Sequence, residues 1–135
     1  MKKKIAILLS AALVLLVGAV VWYRTPLDLM ELDHNQVKEI VVQNGNSGKT
    51  THITEKDKIQ RIIENLNDVA VRPSKPSTGS MGYGFKLTIY LSDGNEADDW
   101  NNFIINASDT IRKDPLFYSV IQGSLDYDYL AHICE

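Results

Sequence analysis

The chain has 135 residues, 44% of them hydrophobic, with 14 Lys and Arg against 17 Asp and Glu and a formal net charge of −3. Lys2, Lys3, Lys4 and Arg24 flank one N-terminal apolar stretch, so the other 10 bases face all 17 acids and the rest of the chain carries −7. That acid excess argues against nucleic acid as a partner and against tight contact with an anionic bilayer, since both need a basic face.

Between Ile5 and Tyr23 the only polar side chain short of the aromatic edge is Ser10. At about 1.5 Å of rise per residue such a helix reaches roughly 28 Å, the thickness of a bilayer's hydrocarbon core. Lysines are retained on the cytoplasmic side, so the N-terminus is expected inside, with Thr25 onward outside and Trp22 and Tyr23 at the outer interface. Val17-Gly18-Ala19 leaves open a signal peptide cut after Ala19, which would give a secreted product. The single cysteine, Cys134, lies far from the apolar segment. It can neither carry a lipid there nor close an internal disulfide, and it reads as a small apolar filler. The expected division is a transmembrane anchor or uncleaved signal at 1–24, a stalk at 25–35 and one extracytoplasmic domain at 36–135.

"VKEIVV" at Val37–Val42, turn residues through Gly48 and "TTHIT" predict a β-hairpin. Thr54 stands as a helix N-cap with Glu55 and Asp57 in the first turn. Ile59, Ile62, Ile63 and Leu66 draw one apolar stripe, Asp57 and Arg61 form a surface pair, and the helix should end near Asn67. "VAV" at Val69–Val71 resumes extended structure. "RPSKPSTGSMG" from Arg72 to Gly82 reads as a long loop, either functional or mobile.

In "YGFKLTIYL", Tyr83, Phe85, Leu87, Ile89 and Leu91 alternate with Gly84, Lys86, Thr88 and Tyr90, giving a strand with one buried and one wet face. Ser92-Asp93-Gly94-Asn95 turns it into a return strand with Trp100, Phe103 and Ile105 as apolar contributors. After a turn at "NASD", "TIRKDPLFYSV" suggests a further arm with its own turn at Asp114-Pro115. A terminal helix capped by Ser124 turns Leu125, Tyr129, Leu130 and Ile133 inward. The order β-β-α-β-β-β-β-α makes this an α+β fold, a small antiparallel sheet with two helices packed on one face.

"GNSGKT" at Gly45–Thr50 resembles the end of a phosphate-binding loop, but position 43 is Gln43 and a strand follows instead of a helix, so a hairpin turn is expected and no nucleotide. "DGNEADDW" gathers Asp93, Asn95, Glu96, Asp98 and Asp99 without calcium-loop spacing. His34, His52 and His132 lack zinc spacing, His132 and Cys134 point to different sides of a helix, and no G-x-S-x-G elbow exists. No catalytic residue, cofactor site or metal site is therefore assigned. Among the tyrosines, Tyr83, Tyr118 and Tyr129 sit at core positions, while Tyr90 faces water with Lys86 and Thr88. The candidate interaction surface comprises Lys75, Ser77, Thr78 and Ser80 on the long loop and Lys86, Thr88 and Tyr90 on the wet face.

The lysine-led anchor, "VKEIVVQNGNSGK", "TEKDKIQRIIENLN", the strand after "GYGF" and the closing "LFYSVIQGSLDYDYL" together resemble the small membrane-anchored or lipoprotein-like extracytoplasmic proteins of unknown function common in Gram-positive bacteria. Members often carry a lipid-attachment cysteine after the signal; here that position has none, so anchoring rests on the helix. The resemblance brings no catalytic residues. The expected function is a non-enzymatic, membrane-tethered module that binds an envelope protein or cell-wall component. An inhibitor or immunity-type protein, plugging an envelope hydrolase with the Pro-rich loop, is the alternative, and an envelope hydrolase is the third reading.

Overall fold

The computed structural model describes residues 1–135 apart from Ser80, Met81, Tyr83, Asp98, Asp99, Trp100 and Glu135. Its first element, α1 (Lys2–Arg24), is apolar on every side and buries no residue against the rest of the protein. A helix hydrophobic all round and uncovered has the length and composition of a membrane span or a signal sequence.

After α1 come β1 (Leu27–Asp28), a 3-10 turn (His34–Gln36), β2 (Val37–Asn44), β3 (Thr50–Ile53), α2 (Lys56–Asn67) and β4 (Ala70–Pro76). They are followed by β5 (Phe85–Leu91), β6 (Phe103–Ala107), β7 (Thr110–Lys113), β8 (Leu116–Gln122) and α3 (Tyr127–Ile133). All strands join one eight-stranded antiparallel sheet in the order β1-β4-β8-β7-β6-β5-β2-β3. The architecture is α+β. Its element order differs from the expected one in two places, the first at the turn expected at Asp114-Pro115, where one arm is in fact two strands, and the second through a pairing that local patterns do not reveal. Thr110–Gln122 forms two strands joined at Asp114-Pro115, and the presumed stalk contributes β1.

That stalk segment is stitched into the domain. β1 pairs with β4 at Leu27↔Val71 and Asp28↔Ala70, and Leu29 N donates to Val69 O at 2.9 Å. The Asn67 carboxamide clasps the Leu32 backbone, donating to its carbonyl at 2.7 Å and accepting from its N–H at 3.1 Å. Leu29 and Met30 are buried in the core, each burial contributing about 1.5–3 kcal/mol against the cost of ordering the segment.

One face of the sheet builds the core. Ile40, Val42, Phe85, Leu87, Ile89, Phe103, Ile105, Ile111 and Val71 meet the α2 stripe of Ile59, Ile62, Ile63 and Leu66, and Leu130 of α3. α2 begins at Lys56 with Glu55 at its cap position rather than Thr54, and no side chain caps it. Arg61 does not turn to Asp57. Its Nε lies 3.1 Å from Asp126 Oδ2 and its guanidinium 3.7 Å from the centre of the Tyr129 ring, tying α2 to the start of α3. Ser124 likewise acts through its carbonyl, which accepts from Asn65 Nδ2 at 2.8 Å, while Asp126 holds the α3 cap position.

Candidate functional site

Because side chains alternate along every strand, the residues between the core positions form a second face. The ladder aligns them into rows. Gln43 pairs with Lys86, Lys86 with Ile104, Ile104 with Arg112, and Arg112 with Phe117. Beside that row, Val41 lies between Thr88 and His52, and Glu39 opposite Tyr90. None of these residues is buried, and α2 and α3 contribute their apolar side chains to the core on the other side. Glu39 Oε1 lies 2.6 Å from His52 Nδ1 across the β2–β3 pair.

At the β4 side of this face the polar groups converge on Asp114. Its Oδ1 accepts from Arg112 Nε at 2.8 Å and from the Ser77 hydroxyl at 2.6 Å. The Arg112 bond first and the Ser77 bond second hold the Asp114 carboxyl below the usual carboxylate range. The Phe117 ring carries two cations, Lys75 Nζ at 5.3 Å and the Arg112 guanidinium at 6.0 Å from its centre. Arg112 Nη1 also donates to Gly82 O at 3.5 Å. β4 and β5 are separated in the sheet by β8, β7 and β6, and of the described residues between them Ser77 lies at Asp114 and Gly82 at Arg112.

The residues singled out from sequence divide accordingly. Lys86, Thr88 and Tyr90 are half-buried on the open face, with the Thr88 hydroxyl donating to Asn102 Oδ1 at 2.9 Å. Lys75 is exposed at the end of β4, beside Phe117, and Thr78 is exposed after it. Ser77 is only 1% exposed and its hydroxyl is committed to Asp114, so it supports the site's frame and is no contact residue. Ser80 lies outside the described residues, as does Tyr83. The stretch read as one long loop is strand through Pro76, because Arg72–Pro76 finds the unpaired edge of β8. The loop set and the sheet set, separate in sequence, thus adjoin through Phe117, Arg112 and Ile104. These three, with Arg72, were missed. Phe117, Ser119 and Ile121 do alternate in the sequence, but an aromatic in a strand is more readily assigned to the core.

The other motifs take structural roles. "GNSGKT" forms the β2–β3 turn, in which the Asn44 side chain accepts from Asn46 N at 2.9 Å, Gly48 adopts φ +74°, and β3 follows. Among the described residues no three His, Cys, Asp or Glu side chains converge. Cys134 is 1% exposed, and burial pushes its thiol pKa up. A shallow cleft of about 550 Å³ between the β6–β7 turn and the start of α3 is lined by Ser108, Ser124, Asp126, Tyr127 and Asp128 among others. Part of its polar lining already serves the fold, since Asp126 binds Arg61 and Leu125 N donates to Ser108 O at 2.9 Å.

Comparison with protein-family models, with curated proteins and with solved structures finds no match for this chain.

Proposed function

We propose that the protein is a non-enzymatic, membrane-tethered extracytoplasmic interaction module whose working surface is the open face of its sheet. α1 crosses the membrane with the N-terminus in the cytoplasm, and the α+β domain stands outside with α2 and α3 on the face turned from the partner. The observation that carries this reading is that, among the described residues, no helix packs on this face. A wide sheet packed on one side presents half-exposed Val41, Ile104, Phe117 and Tyr90 among Lys86, Thr88 and Arg112, the mixture of apolar bodies and polar tips that suits recognition. An envelope protein or cell-wall component is the proposed partner. The plug-type inhibitor loses ground, because half of its projecting loop is strand and Ser77 is buried.

Photo-crosslinking residues placed at Thr88 and at Tyr90 in the full chain, with Gln60 on the exposed side of α2 as the control, test the assignment in intact cells. A discrete adduct from the sheet positions alone is expected. Adducts only from Gln60 would move the working surface to the helices, and purified protein that turns over an envelope polymer would overturn the non-enzymatic reading. Protease added to cells stripped of their wall should remove the domain; a protected domain refutes the topology.

A further inference from the structure

The acid excess of the exported part is unevenly spread, and the corner nearest α1 is basic. Leu27 pairs with Val71 and Asp28 with Ala70 in antiparallel sense, so the chain arriving from α1 runs alongside β4 from that strand's C-terminal end. The Tyr23 hydroxyl donates to Ser74 O at 2.8 Å, which fixes the end of the apolar helix at the same level. Around this contact stand Arg24, Arg72 and Lys75, all exposed, and none forms an ion pair with a described residue. Arg72 alternates with buried Val71 and Pro73 and so shares the open face with Phe117, whose ring lies beneath the Lys75 ammonium. Of the carboxylates on neighbouring segments, Asp114 is already bound by Arg112 and Ser77, and exposed Asp28 of β1, opposite Ala70, forms no ion pair with these bases. The acids of the Asp93–Glu96 turn follow β5, which three strands separate from β4.

We infer that this corner, Arg24, Arg72 and Lys75 against Phe117, docks onto anionic phospholipid headgroups of the leaflet in which α1 ends. The inference rests on the reading of α1 as a membrane span. A helix apolar on all sides ends in lipid at Tyr23, and bases next to that end meet phosphate before they meet any other anion. Docking holds the β4 edge down on the membrane and leaves Lys86, Thr88 and Tyr90, toward the other edge, facing outward. Charge complementarity selects the lipid, because the rest of the domain is repelled by the same surface and cannot lie on it.

The test uses the full chain in vesicles of phosphatidylcholine alone or with 30% phosphatidylglycerol. A fluorophore on Thr78→Cys is quenched by headgroup spin labels, the buried Cys134 staying unlabelled. Each base near an anionic surface is worth about fivefold in binding, so Arg72→Gln/Lys75→Gln should reduce the docked fraction's equilibrium constant by ~30-fold. Raising the salt to molar levels should do the same, and Lys38→Gln on β2 should do nothing. Quenching equal in the two lipids and unchanged by the double variant overturns the inference. Flotation of the same vesicles separates the two failures: a chain that does not float with lipid refutes the span, whereas one that floats without lipid-dependent quenching refutes only the docking.

Discussion

Asn101 completes a strand that the sheet leaves unfinished, and replacing it should weaken the domain more than its position in a connecting segment suggests. β6 pairs with β5 only from Phe85 to Leu87, so Ile89 has no strand partner on that side. The Asn101 side chain takes its place, with Oδ1 accepting from Ile89 N at 2.8 Å and Nδ2 donating to Ile89 O at 3.2 Å. Ala97 N also donates to Ile89 O, at 2.9 Å, so that carbonyl keeps one partner without Asn101, but the Ile89 N–H does not. Ile89 is fully buried and Asn101 6% exposed, so water does not replace the lost acceptor freely. An orphaned buried donor costs about 1–3 kcal/mol and the second bond about 1 kcal/mol, so Asn101→Ala should lower unfolding stability by ~2–4 kcal/mol. For a domain near 100 residues that is a fall in Tm on the order of 10–25 °C. Circular dichroism melts and urea titrations of the full chain in detergent micelles measure it, with Asn102→Ala as the neighbouring comparison. A loss below about 0.5 kcal/mol for Asn101→Ala would refute the backbone-mimic account, since surface changes alone reach that size.

Gly84→Ala should destabilise by about 1–3 kcal/mol and disturb the β5–β6 pairing, because a Cβ there would stand 2.4 Å from Ile105 O; wild-type amide exchange at Ile105 would contradict this. Gly123→Ala adds a left-handed φ of +78° to a Cβ contact of 2.8 Å with Asp68 O, and its melting loss should exceed the ~1–2 kcal/mol of the backbone strain alone. The depressed Asp114 carboxyl contributes stability that is present above the unfolded carboxyl's pKa and is lost as pH falls through the lower folded value. Asp114→Asn should therefore be less stable than the parent at neutral pH and show a flatter acid limb, and parallel acid limbs for the two would sink the assignment. Cys134, buried with its thiol pKa raised, should react with a thiol reagent at pH 8 far more slowly in the native chain than in denaturant; equal rates would show that it is open to pairing with another chain.

The sequence alone carried what short-range periodicity can encode. Ile59, Ile62, Ile63 and Leu66 mark one side of α2, and Phe85, Leu87 and Ile89 one side of β5, because each pattern repeats at the pitch of its own backbone. The run from Ile5 to Tyr23 declared an apolar helix for the same reason. Tertiary structure decided which strands become neighbours. Arg72–Pro76 is strand because β8 lies beside it, Leu29 and Met30 are core because β1 finds β4, and Ser77 is a frame residue because the Asp114 turn comes back to it across a separation of 37 residues. Lys75, Phe117, Arg112, Ile104 and Lys86 adjoin on one face only through the register of five strands. Side-chain period depends on the local backbone, whereas register depends on hydrogen bonds to distant segments, and only the folded chain brings those segments together.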